Sequence, residues 1–255
     1  KIQLNTSFTQ RDQENGWNES LRYATLYNPT APIYAVDSPY AFNGAQFGGY
    51  FETLGLFDSY NPVSIINQNI NNGERRTVNY GLNLTYEVTD NITAYFTTAN
   101  QSNDYANRIY FRTTSLWNNN DNYGGADSPV RKGAAEIYEQ NSDFQLNELY
   151  ATWKKSTENM NLTVTAGYSY QKENFNQVFF SLGDFPGDEI DYIDAIEYSQ
   201  DLLNAGQVSA NSDKNPDTEI DAFFARLNMT INNNIFINAS LRREGSTKLG
   251  ADNRY

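Results

Sequence analysis

The sequence predicts an all-β protein of long antiparallel strands, and three observations carry that reading. Apolar and polar residues alternate with a period of two, again and again along the chain. The alternating stretches run about 10 to 13 residues, where ordinary strands cluster near 5 or 6 and a tilted membrane-crossing strand needs about 9 to 11. Short polar turns alternate with connections tens of residues long, as in a transmembrane barrel with short periplasmic turns and long extracellular loops. The polar face of the strands is rich in Asn, Thr, Gly, Ser and Gln, which suits a wet lumen better than an exposed soluble surface. A large soluble β-protein stays open as the alternative.

The elements follow in order. Ile2, Leu4, Thr6 and Phe8 oppose Lys1, Gln3, Asn5 and Ser7 in the first strand. A connection of roughly 12–75 follows, with a short amphipathic helix expected over Glu19–Tyr27, Asn18 as its N-cap and Asn28-Pro29 as its stop. Val78, Tyr80, Leu82, Leu84, Tyr86 and Val88 then share one face; after the turn Thr89-Asp90-Asn91, Ile92, Ala94 and Phe96 return, so the pair reads as a hairpin. Beyond a second connection at 99–142, Leu149, Ala151 and Trp153 alternate with Glu148, Tyr150, Thr152 and Lys154. The turn Ser156–Asn159 leads to Leu162, Val164, Ala166, Tyr168 and Tyr170. A third connection, 173–218, contains an acidic stretch, Asp184 to Asn204, with Ile190, Ile193 and Ile196 at helical spacing, and this stretch is expected to form a loop helix. Phe223, Ala225, Leu227, Met229 and Ile231 then pass through Asn232-Asn233-Asn234 into Ile235, Ile237, Ala239 and Leu241. The strand is expected to leave the bilayer at Arg242, Arg243 and Glu244 and to turn at Gly245.

Composition narrows the function. The net charge is -13, which argues against nucleic acid, because phosphate binding needs a basic stripe. The chain has no Cys and no His. Disulfides, thiolate sites, imidazole general bases and His-containing metal centres are therefore excluded within it. No Ser-His-Asp set or phosphate loop exists, and no carboxylate pair stands out, so the chain reads as non-enzymatic, with no catalytic residue and no cofactor. Asp184, Asp188, Glu189, Asp191 and Asp194 cluster without the spacing of a calcium loop and read as a solvated or partner-docking segment, not a metal site. Tyr105, Tyr110, Trp117 and Tyr123 are candidates for a ligand- or partner-binding loop, since rings and amides together suit sugars or peptides. Aromatics make up 15% of the chain, as suits rings placed at a membrane–water boundary. The opening Lys1-Ile2-Gln3-Leu4 already alternates, as a fragment or processed product would.

Several phrases resemble one family. They are Tyr27-Asn28-Pro29-Thr30-Ala31-Pro32-Ile33-Tyr34, Tyr60-Asn61-Pro62-Val63-Ser64-Ile65-Ile66, and Phe224-Ala225-Arg226-Leu227-Asn228. The most specific runs from Ala239 through Arg242-Arg243-Glu244-Gly245-Ser246 to Gly250, then Asn253-Arg254-Tyr255. In that order and spacing the chain resembles the barrel of SusC-like TonB-dependent receptors, outer-membrane nutrient importers of the Bacteroidetes. The family usually has Asp at the place of Glu244 and Phe at that of Leu249.

The resemblance implies a barrel of about 22 strands around a plug, of which this chain would supply about eight or nine, with residues 1–255 a partial barrel domain. Plug, TonB-contacting segment and remaining strands would lie outside it, and a further strand is expected after Tyr255. The resemblance also implies import of oligosaccharides or peptides together with a SusD-like surface lipoprotein, powered by the TonB complex, in a barrel embedded in outer-membrane lipid. Two other readings stay open: an accessory barrel of a larger outer-membrane assembly, and a secreted all-β glycan-binding adhesin.

Overall fold

A computed structural model describes residues 1–36, 47–52, 60–117, 133–188, 194–203 and 208–250. Seven strands form one antiparallel sheet in sequence order: β1 (Ile2–Glu14), β2 (Asn69–Thr89), β3 (Ile92–Phe111), β4 (Ala134–Ser156), β5 (Met160–Gly183), β6 (Ser209–Ile231) and β7 (Ile235–Ser246). Seven strands, rather than eight or nine, thus lie among the described residues. Two helices, α1 (Asn18–Leu26) and α2 (Pro62–Gln68), sit in the β1–β2 connection. Among the described residues no helix is long and apolar enough to cross a membrane, which leaves crossing by strands untouched.

The three expected hairpins form. Thr89 Oγ1 accepts from the amides of Asn91 and Ile92 in the first turn. The second is tighter than the sequence suggests, because Thr157 and Met160 exchange both backbone hydrogen bonds around Glu158-Asn159. In the third, Asn232 and Asn233 hold φ values of 50° and 57°, and the Asn234 amide donates to the Ile231 carbonyl. That is a two-residue turn with both central residues left-handed, a conformation Asn tolerates better than other side chains.

The ladder register fixes the tilt. Directly paired residues run from Ile92 through Trp153, Val164 and Leu227 to Ala239. The first hairpin closes at Ile92, whereas the third closes at Ile235, four residues past that row and four strands away. One residue of offset per strand, at about 3.4 Å rise and about 4.8 Å spacing, sets the strands about 35° from the normal to the turn rim. Membrane barrels tilt by about the same angle.

The expected apolar stripes share one face. Ile2, Leu84, Phe96, Leu149, Tyr168 and Phe223 form one row across six strands. Leu241 is 75% and Phe223 60% exposed, so this face has no protein core beneath it. Tyr86 and Trp153 lie toward the turns; Tyr80, Tyr168 and Phe223 border the other margin, with Tyr168 and Phe223 in ring contact at 5.0 Å. On β5 the band from Met160 to Tyr170 is about 28 Å high at this tilt, close to the lipid-facing band of a barrel with its aromatic girdles.

The strands far outrun that band. β5 has 24 residues and β4 has 23, about twice the length expected, and β5 rises about 65 Å. The connections shrink accordingly: 99–142 becomes mostly β3 and β4, and 173–218 mostly β5 and β6. Past the apolar margin both faces carry Asn, Asp, Gln and Ser, so alternation vanishes while the backbone ladder continues. Periodicity reports a difference in solvent between two faces, and here both faces are wet.

Three details differ from expectation. Trp17, not Asn18, occupies the cap position of α1, with no side-chain cap bond. The acidic stretch is not one amphipathic helix: a 3-10 turn at Ile196–Tyr198 and a single turn at Gln200–Leu203 are seen, while Ile190 and Ile193 lie outside the described residues. Nor does the chain turn at Gly245. Gly245 is buried in β7 opposite Asp221, and the turn comes at residues 247–249.

Candidate functional site

The polar face of the sheet is one candidate surface. Thr77 and Thr97 donate to Asn103 and Asn83, Asn79 donates to Ser7, and Thr152 meets Thr165 at 3.0 Å. These bonds cross between strands, so each polar pair reinforces the register. Within this carpet lies an aromatic strip. Tyr95 stacks on Tyr150 with centroids 4.7 Å apart, and Phe224 follows at 6.3 Å. Gly167 sits between Tyr150 and Phe224 in the same row. A Cβ there would lie 2.4 Å from Tyr150 Cβ and 2.8 Å from Phe224 Cζ. Only glycine lets the two rings close over the strand. Arg242, directly opposite Phe224, pairs with Glu244 at 2.6 Å, and Arg226 donates to Asn228.

Further from the turns the polar face opens into a groove. Between Glu173 and Phe175 the β5–β6 register slips, with Thr218 opposite Glu173 and Asn215 opposite Phe175. The extra residue in β6 is placed around Pro216, which has no amide to offer the ladder and so belongs at a bulge. Thr247 clamps the bulge: its amide and hydroxyl bond to Glu219 and Asp217. The groove holds about 760 Å³ and is lined by Gln101, Asn103, Ser142, Phe144, Phe175 and Asn215, among others.

The β1–β2 connection builds a small core of its own. Asn61 caps α2, its Oδ1 accepting from the amides of Val63 and Ser64, with Pro62 at the first helical position. Its Nδ2 donates to the carbonyls of Ile33 and Phe51, and its own amide donates to Glu52. Asn61 is wholly buried with its hydrogen-bonding groups engaged. Asn28 does the equivalent at the end of α1, its Oδ1 accepting from the amide and hydroxyl of Thr30 ahead of Pro29. Glu52 is 1% exposed. Burial raises its carboxyl to about 7, against the partial relief of hydrogen bonds from Asn61 and Ser64. Burial, then the neighbouring Glu52 charge, pushes the Tyr27 phenol up to about 12, and Tyr27 donates to the Pro32 carbonyl.

The other two connections fold onto this end. Trp17 packs on Phe111 at 5.2 Å and on Trp117 at 4.9 Å. Asp188 is a hub: it accepts from the Thr113 amide and hydroxyl at 2.8 and 2.7 Å, from both groups of Thr114, and from Tyr110. One carboxylate thereby fastens the β5–β6 connection to the β3–β4 one. Asp194 reaches Arg108 at 3.1 Å. Among the described residues no set of acidic side chains is arranged to hold a metal ion; Glu189 and Asp191 lie outside them.

The four aromatic candidates do not form one platform. Tyr105 and Tyr110 belong to strand β3 rather than a loop. Tyr105 lies under the Arg75 guanidinium, 5.0 Å away. Tyr110 is fully buried with Ala135, Leu182 and Phe185 and has no surface for a ligand. Trp117 joins the tryptophan cluster, and Tyr123 lies outside the described residues. Among the motif residues, Arg242 and Glu244 share the polar face, Arg243 pairs opposite Phe223 on the other, and Gly250 follows the final turn. Asn253, Arg254 and Tyr255 lie outside the described residues. Sequence reasoning missed Glu52, Gly167 and the groove. The polar run 209–218 around Pro216 carries no strand signal, so the sequence offered nothing to find the last.

No family model matches the chain. A TonB-dependent receptor P3 from Formosa agariphila is 25% identical over 241 residues, 94% of this chain and 21% of the relative. Among solved structures, the RagAB peptide importer in its open-open state matches with a TM-score of 0.68, covering 99% of this chain and 26% of that one at 14% identity. Its closed-closed state gives 0.66 over the same shares. The chain therefore spans about a fifth to a quarter of the length of the proteins it matches. By sequence the chain is similar to a TonB-dependent receptor over nearly its whole length, its seven-stranded antiparallel sheet has the fold found in outer-membrane β-barrel proteins, and its place is the outer membrane.

Proposed function

We propose that the chain is part of a SusC-like barrel that imports nutrients across the outer membrane, driven by TonB and working with a SusD-like surface lipoprotein. The carrying observation is the 94% coverage of this chain by its similarity to a TonB-dependent receptor. The exposed apolar band bordered by aromatics supports the same reading. Among the described residues the outer edges of β1 and β7 have no strand partner, and free edges are not tolerated in lipid, so in this reading the rest of the receptor supplies their partners. The polar face lines the lumen in this reading, and the strand extensions with their packed connections form the extracellular mouth where a lipoprotein lid would rest. Cargo is of the oligosaccharide or peptide class.

Uptake tests this directly. Whole cells carrying the full-length receptor should accumulate labelled substrate, and deletion of tonB should abolish accumulation. Uptake that persists without TonB overturns the proposal. Purification in mild detergent should bring down a SusD-like lipoprotein with the receptor; a receptor that purifies alone removes the lid from the scheme.

A further inference from the structure

We infer that the groove at the β5–β6 bulge is a sugar subsite on the lumen wall, shaped for an uncharged oligosaccharide. This rests on the import reading and narrows its cargo. The groove lies on the polar face, five to seven residues beyond the Phe96–Leu149–Tyr168–Phe223 row along β3, β4 and β5. At the 35° tilt that is roughly 14 to 19 Å outside the apolar margin, on the path of a ligand entering from the mouth.

Its chemistry is selective. Phe144 and Phe175 supply two partly exposed rings, the flat apolar surfaces on which the C–H face of a pyranose stacks. Around them stand Gln101, Asn103, Ser142, Glu173, Asn215 and Thr218. Planar amides and carboxylates can donate to or accept from two vicinal hydroxyls at once. Asn103 Oδ1 is held by Thr77, and Glu173 Oε1 by Gln171, so these groups are oriented in advance. The side chains of Gln101, Ser142 and Asn215 make no hydrogen bond with a described residue, and all three line the groove.

What the lining lacks decides between cargo classes. Among its described residues there is no Leu, Ile, Val or Met to anchor a peptide's apolar side chains, and Lys248 is its sole cation. Glu173 sets a carboxylate on the groove, while Asp217 is paired with Lys172 at 2.7 Å. A sulfated or uronic-acid chain, or a peptide carboxylate, would meet that charge without the arginine fork such groups need. A neutral oligosaccharide meets rings and amides that match it. The bulge borders this space: the added residue around Pro216 falls at the β5–β6 register slip, beside Phe175.

The test is calorimetric titration of the full-length receptor in detergent. The probes are neutral hexaoses (α-1,4-glucan, β-1,4-glucan and α-1,6-mannan), a sulfated oligosaccharide and an apolar hexapeptide. At least one neutral hexaose should bind below about 1 mM. Phe144→Ala with Phe175→Ala should weaken it about tenfold or more, since both stacking surfaces are lost. Gln101→Ala with Asn215→Ala, which breaks no side-chain hydrogen bond to a described residue, should weaken it several-fold and leave thermal unfolding unchanged. The inference is overturned if no neutral hexaose binds, if the sulfated sugar or the peptide binds instead, or if both double variants bind like wild type. Loss of thermal stability in the phenylalanine variant with unchanged sugar affinity is also refuting; it would assign the rings to contact with the receptor's own interior. TonB-dependent uptake in the same variants separates the two proposals: if it survives while the binding prediction fails, import stands and this subsite falls.

Discussion

Replacing Glu52 with Gln should remove a pH response from the β1–β2 connection. In the folded state the Glu52 carboxyl is buried and raised to about 7, from an ordinary value of 4.5. At about 1.4 kcal/mol per unit, the difference corresponds to about 3 kcal/mol between protonation states. The sign follows from the direction. Because the folded value exceeds the unfolded one, the protonated carboxyl's contribution is fully present below about pH 4.5 and is lost progressively as pH rises to 7 and beyond. Tyr27, pushed up to about 12, stays neutral throughout and does not compensate. Hydrogen exchange on the full-length receptor reads this out at the amides of residues 47–52 and 60–68. Corrected for intrinsic rates, wild-type opening should become easier by up to about 3 kcal/mol between about pH 5 and pH 8.5. Glu52→Gln keeps an acceptor for the Asn61 amide and carries no charge, so its opening should be nearly flat with pH and harder than wild type at the alkaline end. A flat wild type, or a variant with the wild-type slope, refutes the assignment.

Other substitutions address separate parts of the structure. Asn61→Ala removes a helix cap and two buried bonds, and should destabilise the same connection by about 2–4 kcal/mol, seen as faster proteolysis there with the strands intact. Gly167→Ala forces a methyl into the space of Tyr150 and Phe224 and should cost about 1–3 kcal/mol in thermal unfolding of the barrel; an unchanged transition would mean the rings relax freely. Leu241→Arg on the apolar face should cost about 2–4 kcal/mol and impair insertion, whereas Ser240→Arg on the polar face should insert normally. Asp188→Ala should expose the segment around Gln200–Leu203 to protease without altering the heat-modifiability of the barrel.

How much was visible beforehand depends on where solvent contrast exists. Within the lipid band one face is apolar and the other wet, so Leu162 to Tyr170 and Phe223 to Ile231 announced their strands, faces and turns directly. The family phrases were legible as words before their work was known. Asn61-Pro62 proved to be a cap and first-turn pair that also pins two distant carbonyls, and Asn28-Pro29 a turn that ends α1. Asp188 was noticed only as one acid among several; its five-donor role needs Tyr110, Thr113 and Thr114, 74 to 78 residues away in sequence.

The sequence by itself determined the all-β class, the band of alternating strands, the three tight turns, the absence of imidazole and thiol chemistry, and the kind of receptor the chain resembles. These properties are local: each depends on residue order over a dozen positions or on composition. Only the tertiary structure decided that the strands run on far beyond the membrane band. It alone showed that Glu52 is buried beside an amide donor, that Gly167 makes room for two rings, and that a bulge at Pro216 borders a groove lined by Phe144 and Phe175. Each of those facts depends on which residue lies opposite which across the ladder, or on what a connection folds against. Such pairings are chosen by long-range packing, and no local pattern along the chain records them.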